Sequence, residues 1–379
     1  GNQHLSLTDK ARDKKRAALE HLKMVIIDEV SMVKSDMIYQ MDLRLQEIMQ
    51  KPDIPFGGLS IICFGDLLQL KPIMGKFPFE SPTNKDFFAT HQMSPRWKTF
   101  KSIILEKNHR QGEDKEYAEI LNRMRIGKQN SDDIQKLRKR VRPEGSKDLE
   151  DAFLFIEGKR VPCAKRNKQY LAKLKGPEIL IPSINSHDSI KNYHPRLHKD
   201  GTIDITGFMK ELSLKIGCKV MLVQNIDTSD GLTNGQMGVL EGLIKRVDET
   251  VDKLIIKLKN NSLGMQNKGN NPHLSSKYPD CVFIERVSHT YSLINNNKNC
   301  GSTATVIQFP VRLAYSVTAH KVQGMSISAP LKVVMDLEST FTQAQVYVML
   351  SRVQKLEQVI IIKVSLNYEQ EKSLVLANK

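Results

Sequence analysis

The sequence predicts an α/β protein built on parallel sheet, interrupted by a β-rich stretch in its second half. Three observations carry this. Short apolar runs such as "MVII" (24–27) and "LSIICF" (59–64) alternate with segments of helical periodicity; strand, helix, strand, helix is the signature of a parallel sheet. The runs are continuously apolar, as strands covered on both faces are. After about residue 175 the helical period fades, Pro, Gly, Asn and His become common, and helix–strand alternation returns only near residue 330.

Taken in order, "DKARDKKRAALEHLK" (9–23) reads as an amphipathic helix and 24–27 as a buried strand. Ser35 is the expected cap of the next helix, whose Met37, Met41, Leu45 and Ile48 recur at helical spacing and read as core. Gly57 and Gly58 punctuate, a second strand ends at Gly65 and Asp66, and "SIILEK" (102–107) reads as a third. Helices over "EYAEILNRMRIGK" and "IQKLRKRVR" precede a strand at 150–156 and a helix over "VPCAKRNKQYLAKLK". "SLKIGCKVMLVQNI", "GVLEGLI", "DKLIIKLK", "DCVFIERV" and "TATVIQF" read as the strands of a small β-barrel, with Asn234-Gly235 as a turn and 260–277 as an exposed loop. "LKVVMDL", "TQAQVYVMLSR" and "QVIIIKV" close the chain as strand, helix and strand.

Composition narrows the function classes. No apolar run approaches the roughly 20 residues of a membrane span. Five scattered cysteines suit a reducing compartment and argue against a zinc site or a disulfide framework. Lys and Arg outnumber Asp and Glu 57 to 42, and the resulting +15 raises the odds of a polyanionic partner. With aromatics at 6%, a surface built mainly from base-stacking rings is not expected. The start "GNQHLSLTDK" has neither an initiator Met nor a signal core, so the chain is expected to be cut from something longer.

The chemistry sits at strand ends. An apolar strand running into Asp28-Glu29 is what a nucleotide triphosphatase needs: the Asp holds Mg²⁺ through water, and the Glu takes a proton from the attacking water. The same pair could simply begin a solvated loop. "FGDLLQLKP" places Asp66 and Gln69 at the end of a second strand, and strand carboxyl ends share one crevice in a parallel sheet. Gln69 there can sense a terminal phosphate or be a surface amide. Arg110, with Gln111 beside it, follows 102–107, and Arg352 ends an apolar helix. Either arginine can spread charge on a transferring phosphoryl group, or be a helix-end cation. His187, His194 and His198 cluster without a Cys and are a poor metal site. "KLRKRVR" (136–142) reads as a solvated basic face, with a phosphate-contacting patch as the alternative.

The motifs "VIIDEVSM", "FGDLLQLKP", "LEKNHRQ", "TAHKVQGMS" (318–326) and "VYVMLSRV" occur in that order. With "SMVKSDMIYQMDLRLQEI" and "LKIGCKVMLVQNIDTSDGLTNGQMGVL", the chain resembles superfamily 1B DNA helicases of the petite-integration-frequency (PIF) family, Helitron-like helicase modules included. The resemblance implies two RecA-like parallel-sheet domains, the first incomplete, with an SH3-like β-barrel inserted in the second. The expected extents are 1–142 for domain 1A, 143–223 with 305–379 for domain 2A, and 224–304 for the 2B insertion. Asp28 and Glu29 match Walker B, Gln69 the γ-phosphate sensor, Arg110 motif IV and Arg352 the arginine finger. Thr318, His320, Lys321, Gln323 and Gly324 match motif V, which couples the DNA-binding surface to the nucleotide. Lys71 and Val322 depart from the family pattern, where Pro and Ser or Thr are usual.

The implied cofactors are ATP and Mg²⁺, and the implied partners single-stranded and duplex or forked DNA, with no membrane and no required oligomer. The implied activity is 5′-to-3′ unwinding in repair, recombination, telomere maintenance or transposon replication, in the nucleus or mitochondrion of a eukaryote. No G-x-x-x-x-G-K-[ST] loop occurs: Gly75-Lys76, Gly127-Lys128 and Gly158-Lys159 are followed by Phe, Gln and Arg. The expectation is therefore a chain truncated upstream of Walker B, and the alternative function is a remnant that binds single-stranded nucleic acid without hydrolysis.

Overall fold

A computed structural model describes residues 6–81, 96–186, 196–204, 206–295, 298–342 and 344–363. The chain divides into two units, one of residues 1–134, 342–354 and 366–379, the other of 135–341 and 355–365. Among the described residues, no helix is long and apolar enough to cross a membrane.

The first unit holds two parallel strands, β1 (Met24–Ile27) and β2 (Ser60–Cys63), paired Met24 to Ser60 through Ile27 to Cys63. Helix α1 (Asp9–Ala18) precedes them and α2 (Ser35–Met49) joins them. Val25, Ile27 and Ile61 pack with Ile38, Leu45 and Phe56 on the α2 side. The other face is bare: Met24, Ile26 and Ile62 are 43%, 63% and 37% exposed. The expected burial on both faces is thus corrected. A continuous apolar run gives each strand two greasy faces, but only one has a described element against it.

Three further expectations change in this region. Residues 102–107 form no strand, and Ile103, Ile104 and Leu105 are more than 80% exposed; apolar character specifies burial, and pairing needs a neighbour that β1 and β2 do not supply. The cap of α2 is Lys34 rather than Ser35, with no side-chain cap bond. Its buried face runs through Ile38, Leu45 and Ile48, leaving Met37 52% exposed. Asp42 anchors the helix from within, its fully buried carboxylate accepting from Phe56 N and Arg96 Nε, both at 2.6 Å. After the loop, α3 (Lys115–Arg125) is capped by Asp114, which accepts from Tyr117 N at 3.0 Å. Its buried face is Tyr117, Ile120, Leu121 and Met124.

The second unit is organised by a four-stranded sheet, ordered β14 (Ser316–Thr318), β3 (Leu154–Glu157), β15 (Val333–Asp336), β16 (Val359–Ile362), with every pairing parallel. β3, β15 and β16 are buried along their whole length, as their apolar runs require, and the burial extends to the acids Glu157 and Asp336 that end β3 and β15. Helix α5 (Arg160–Lys173), which follows α4 (Ser131–Arg138) in the chain, lies against β3 and β14.

Between α5 and β14 runs the β-rich stretch. A two-stranded pair joins β4 (Ile179–Pro182) to β6 (Glu211–Leu214), and β5 (Ile184–Asn185) lies beside a long ribbon of β11 (Val287–Asn295) and β12 (Lys298–Gln308). An antiparallel sheet is ordered β10 (Cys281–Glu285), β9 (Val251–Leu258), β8 (Met237–Lys245), β7 (Lys219–Leu222), β13 (Val311–Leu313). Leu222, Leu240, Leu254, Ile256 and Val282 form its core. The expected exposed loop at 260–277 instead carries α6 (Met265–Gly269) and α7 (Pro272–Lys277). Asp230 organises α6 by accepting from Gln266 N and Asn267 N at 2.9 and 2.8 Å, a long-range cap invisible to local periodicity.

Candidate active site

The site is built in the first unit from two strand ends and the segment 344–353. β1 stops at Ile27 because Glu29 turns left-handed (φ 51°, ψ 49°), and its N–H donates to Asp28 Oδ1 at 2.8 Å. The two strand ends are sewn together by Phe64 N to Ile27 O at 2.8 Å and Val30 N to Phe64 O at 2.9 Å. At Gly65 (φ +149°) a Cβ would sit 2.8 Å from Val30 N, so only glycine lets the strands end this close.

Asp66 opens the following turn. Its Oδ1 accepts from Leu68 N at 3.0 Å and its backbone oxygen from Gln69 N at 3.0 Å, which sets the direction of Gln69. The carboxylate is gripped from outside the turn by Arg125, whose Nε and Nη2 donate at 2.9 and 2.8 Å, and by the Tyr347 hydroxyl at 3.4 Å. Tyr347 lies on α9 (Gln345–Leu350), after α8 (Ala319–Val322) in the chain, and α9 packs on α3.

Arg352 follows α9 and is 1% exposed. Its Nε donates to Val348 O at 2.9 Å, and its Nη2 donates to Ser351 Oγ at 2.9 Å and to Gln69 Oε1 at 3.3 Å. Burial, and then the Arg110 guanidinium, pull its pKa down to about 10, with Glu29 and Tyr347 offsetting part of this. Burial also lowers Arg110, against the pull of Tyr347 and Glu29. Arg110 Nη1 donates to Ser351 O at 2.9 Å. A buried guanidinium whose charge is disfavoured by a second, half-buried one beside it makes a place for an anion.

The structure therefore brings together Glu29, Asp66, Gln69, Arg110 and Arg352, with Asp28 exposed on the adjoining strand end. The donor set fits the terminal phosphates of a nucleotide: two arginines and an amide for phosphate oxygens, and carboxylates at the strand end for a hydrated cation. Among the described residues, no three His, Cys, Asp or Glu side chains could by themselves hold a metal ion. A Mg²⁺ beside Asp28 would take its other ligands from water and phosphate, as that ion commonly does.

Thr318, His320, Lys321, Gln323 and Gly324 lie in the second unit, where β14 runs into α8. Ala319 and Val322 point into the core, while His320 and Lys321 are half-buried. Burial lowers both pKa values, His320 further by Arg160 and Lys321 by Arg312 and Arg160. Gly324 turns the chain at φ +79°. The departure at Val322 is accommodated, since that side chain is completely buried. His198 Nε2 lies 2.6 Å from Asp204 Oδ1, whereas His187 and His194 lie outside the described residues. In the basic run, Arg140 Nε donates to Val359 O at 2.8 Å and Arg142 pairs with Asp148 at 2.8 Å.

Sequence reasoning assigned no role to Arg125, Tyr347 or Tyr117. Arg125 reads as an ordinary helix-end cation, and the two tyrosines as members of apolar stripes. The available signal was their polar tips: a buried Tyr hydroxyl needs a partner, and each of these finds one in the site.

The family model described as PIF1-like helicase matches residues 2–135, and that for the DNA helicase Pif1 2B domain matches 201–243. The ATP-dependent DNA helicase Pif1 of Campylobacter jejuni is 26% identical over 340 residues, covering 89% of this chain and 69% of its own length. That of a Psychrobacter species is 29% identical over 372 residues, covering 89% of this chain and 53% of its own. The chain thus spans between about half and two thirds of these relatives' length. Crystal structures of Pif1 from Candida albicans (TM-score 0.68, 23% identity, 97% of this chain and 76% of that one) and of Bacteroides Pif1 with ADP-AlF3 and single-stranded DNA (TM-score 0.68, 21%, 97% and 75%) share the fold. By family model, by curated relatives and by fold, the chain is similar to PIF1-like helicases: it shares the α/β fold of their solved structures, and residues 201–243 match their 2B domain.

Proposed function

We propose that this chain forms the core of an ATP-dependent DNA helicase that unwinds 5′ to 3′. The observation that supports it best is the meeting of Glu29, Gln69, Arg110 and Arg352 around a buried, cation-rich centre. In this reading Glu29 accepts the proton of the attacking water, and Gln69 and the two arginines face the γ-phosphate. Mg²⁺ held through water by Asp28 would neutralise phosphate charge. Thr318, His320, Lys321 and Gln323 contact the DNA backbone, with Gly324 giving the turn its freedom. A similar structure is that of Bacteroides Pif1 bound to single-stranded DNA, and another concerns unwinding at forked DNA by two coordinating Pif1 helicases, which supports such partners here. One chain suffices, and in a eukaryotic cell the work would lie in the nucleus or mitochondrion, in DNA maintenance or transposon replication.

A second reading is favoured by the basic surplus of +15, which suits nucleic-acid binding by itself. It is a helicase remnant that holds single-stranded nucleic acid and hydrolyses nothing. Strand displacement by the full-length gene product separates the two. Unwinding of a 5′-tailed but not a 3′-tailed duplex, dependent on ATP, supports the first reading. DNA binding with no unwinding on either substrate supports the second.

A further inference from the structure

The backbone around Arg352 is held by side chains from another part of the first unit. Leu350 O accepts from the Tyr117 hydroxyl at 2.8 Å. Ser351 O accepts from Arg110 Nη1 at 2.9 Å and from Gln111 Nε2 at 3.3 Å, and Val353 O accepts from Gln111 Nε2 at 2.6 Å. The carbonyls on both sides of Arg352 thus meet one amide group. That amide is itself oriented: Asn108 Nδ2 donates to Gln111 Oε1 at 2.9 Å, and Gln111 N donates to Asn108 Oδ1 at 3.2 Å. With its oxygen engaged, the Gln111 amide can present only N–H bonds to the turn. Gln111 is 3% exposed and Tyr117 fully buried, so neither reaches solvent or a ligand easily.

We propose that Gln111 is a positioning residue that fixes the turn carrying Arg352, and so aims the Arg352 guanidinium at the anion held beside Gln69 and Arg110. This rests on the reading of that centre as a triphosphate site. Gln111 touches no reacting atom in this scheme; it acts through the peptide groups on either side of Arg352. Placement at this precision matters, because a shift of about an ångström in a charge-stabilising group costs on the order of 10²-fold in rate. Tyr117 acts on the same turn one residue earlier and gives an independent handle.

The test is calorimetric titration of the 379-residue chain with inorganic tripolyphosphate at low ionic strength. Wild type is compared with Gln111→Met, Tyr117→Phe, Arg352→Ala and the Gln111→Met/Arg352→Ala pair. Met keeps the volume of Gln and removes both donated bonds; circular dichroism melting checks that each variant is folded. The expected result is a loss of affinity of about fivefold to tenfold for Gln111→Met, a smaller loss for Tyr117→Phe, and no further loss when Gln111→Met is added to Arg352→Ala. Such non-additivity is not produced by general loosening of the fold. If Arg352→Ala weakens binding but both Gln111→Met and Tyr117→Phe bind as wild type, or if the pair is additive, the positioning role is overturned and the anion site stands. If wild type does not bind, or Arg352→Ala binds equally well, the anion site fails and the proposal with it.

Discussion

Arg352 donates to Gln69 Oε1 at 3.3 Å while remaining 1% exposed. The Gln69 amide, in the turn after β2, and a guanidinium after α9 are thus in direct contact, with Arg110 as a second cation lowering the pKa of the first. Such a centre is costly to the folded chain in the absence of an anion, and that cost has a measurable sign.

Arg352→Met should leave stability at neutral pH unchanged or raised. The folded pKa of Arg352 is pulled down from the ordinary arginine value to about 10, so the charged form is disfavoured by folding. The penalty is present throughout the neutral range and fades only as pH climbs from about 10 towards the ordinary arginine value, where folded Arg352 has lost its proton first. Met fills much of the arginine volume without carrying the disfavoured charge, which removes that penalty. Urea unfolding at pH 7 checks this, and a loss of more than about 1 kcal/mol would contradict it.

Arg125→Gln should destabilise the first unit by about 1–2 kcal/mol, since a bidentate partner of Asp66 is removed while Tyr347 and the turn amide remain. Asp66→Asn in the same background should cost little more, because the pair acts as one unit. Additive losses in denaturant unfolding would show that the two side chains act separately.

Glu157 gives the second unit a pH dependence. It is fully buried at the end of β3, in register with Asp336 on β15. Burial raises its pKa to about 7; hydrogen bonding and attraction from Arg166 oppose this, and Asp336 adds to it. Glu144 and Lys363 complete the charged surroundings, Glu144 pairing with Arg166 and Lys363 with both Glu144 and Asp336. A raised carboxyl pKa means the folded state holds its proton longer. The stability it contributes is full below about 4.5 and is lost as pH rises through about 7. Melting of the second unit should therefore fall between pH 5 and 8 by an amount on the order of 2 kcal/mol, and Glu157→Gln should flatten that slope. An equal slope in the variant would show that another group is responsible.

The sheet of the second unit was legible because β3, β15 and β16 are buried throughout, so apolar runs mark the observed strands, although β3 and β15 end on the acids Glu157 and Asp336. Motif order likewise placed Asp66, Gln69, Arg110 and Arg352 together. The first unit was harder to read. "SIILEK" has the composition of a strand, yet nothing described lies beside it, and Met37 faces solvent although its spacing fits the core stripe. Local pattern reports what a residue prefers, whereas pairing and facing depend on neighbours distant in sequence. The supporting contacts of Gln111, Tyr117 and Arg125 were hidden for the same reason, each spanning from about 60 to 240 positions.

That difference can be measured. Ile104→Ser should change stability by no more than about 0.5 kcal/mol, because Ile104 is 84% exposed. Ile38→Ala, at 1% exposure against the β1–β2 sheet, should cost about 2–5 kcal/mol. Chemical denaturation of the two variants decides it, and comparable losses would mean that 102–107 is packed in solution.

The most direct measurement is steady-state ATP hydrolysis by the full-length gene product at saturating single-stranded DNA, comparing wild type, Arg352→Ala and Arg352→Lys. With Arg352 facing a γ-phosphate, both variants lose about 10³-fold or more in turnover while DNA affinity stays nearly unchanged, Lys failing because it lacks the planar fork. Turnover within a few-fold of wild type in Arg352→Ala would contradict the assignment of this centre as the site of hydrolysis.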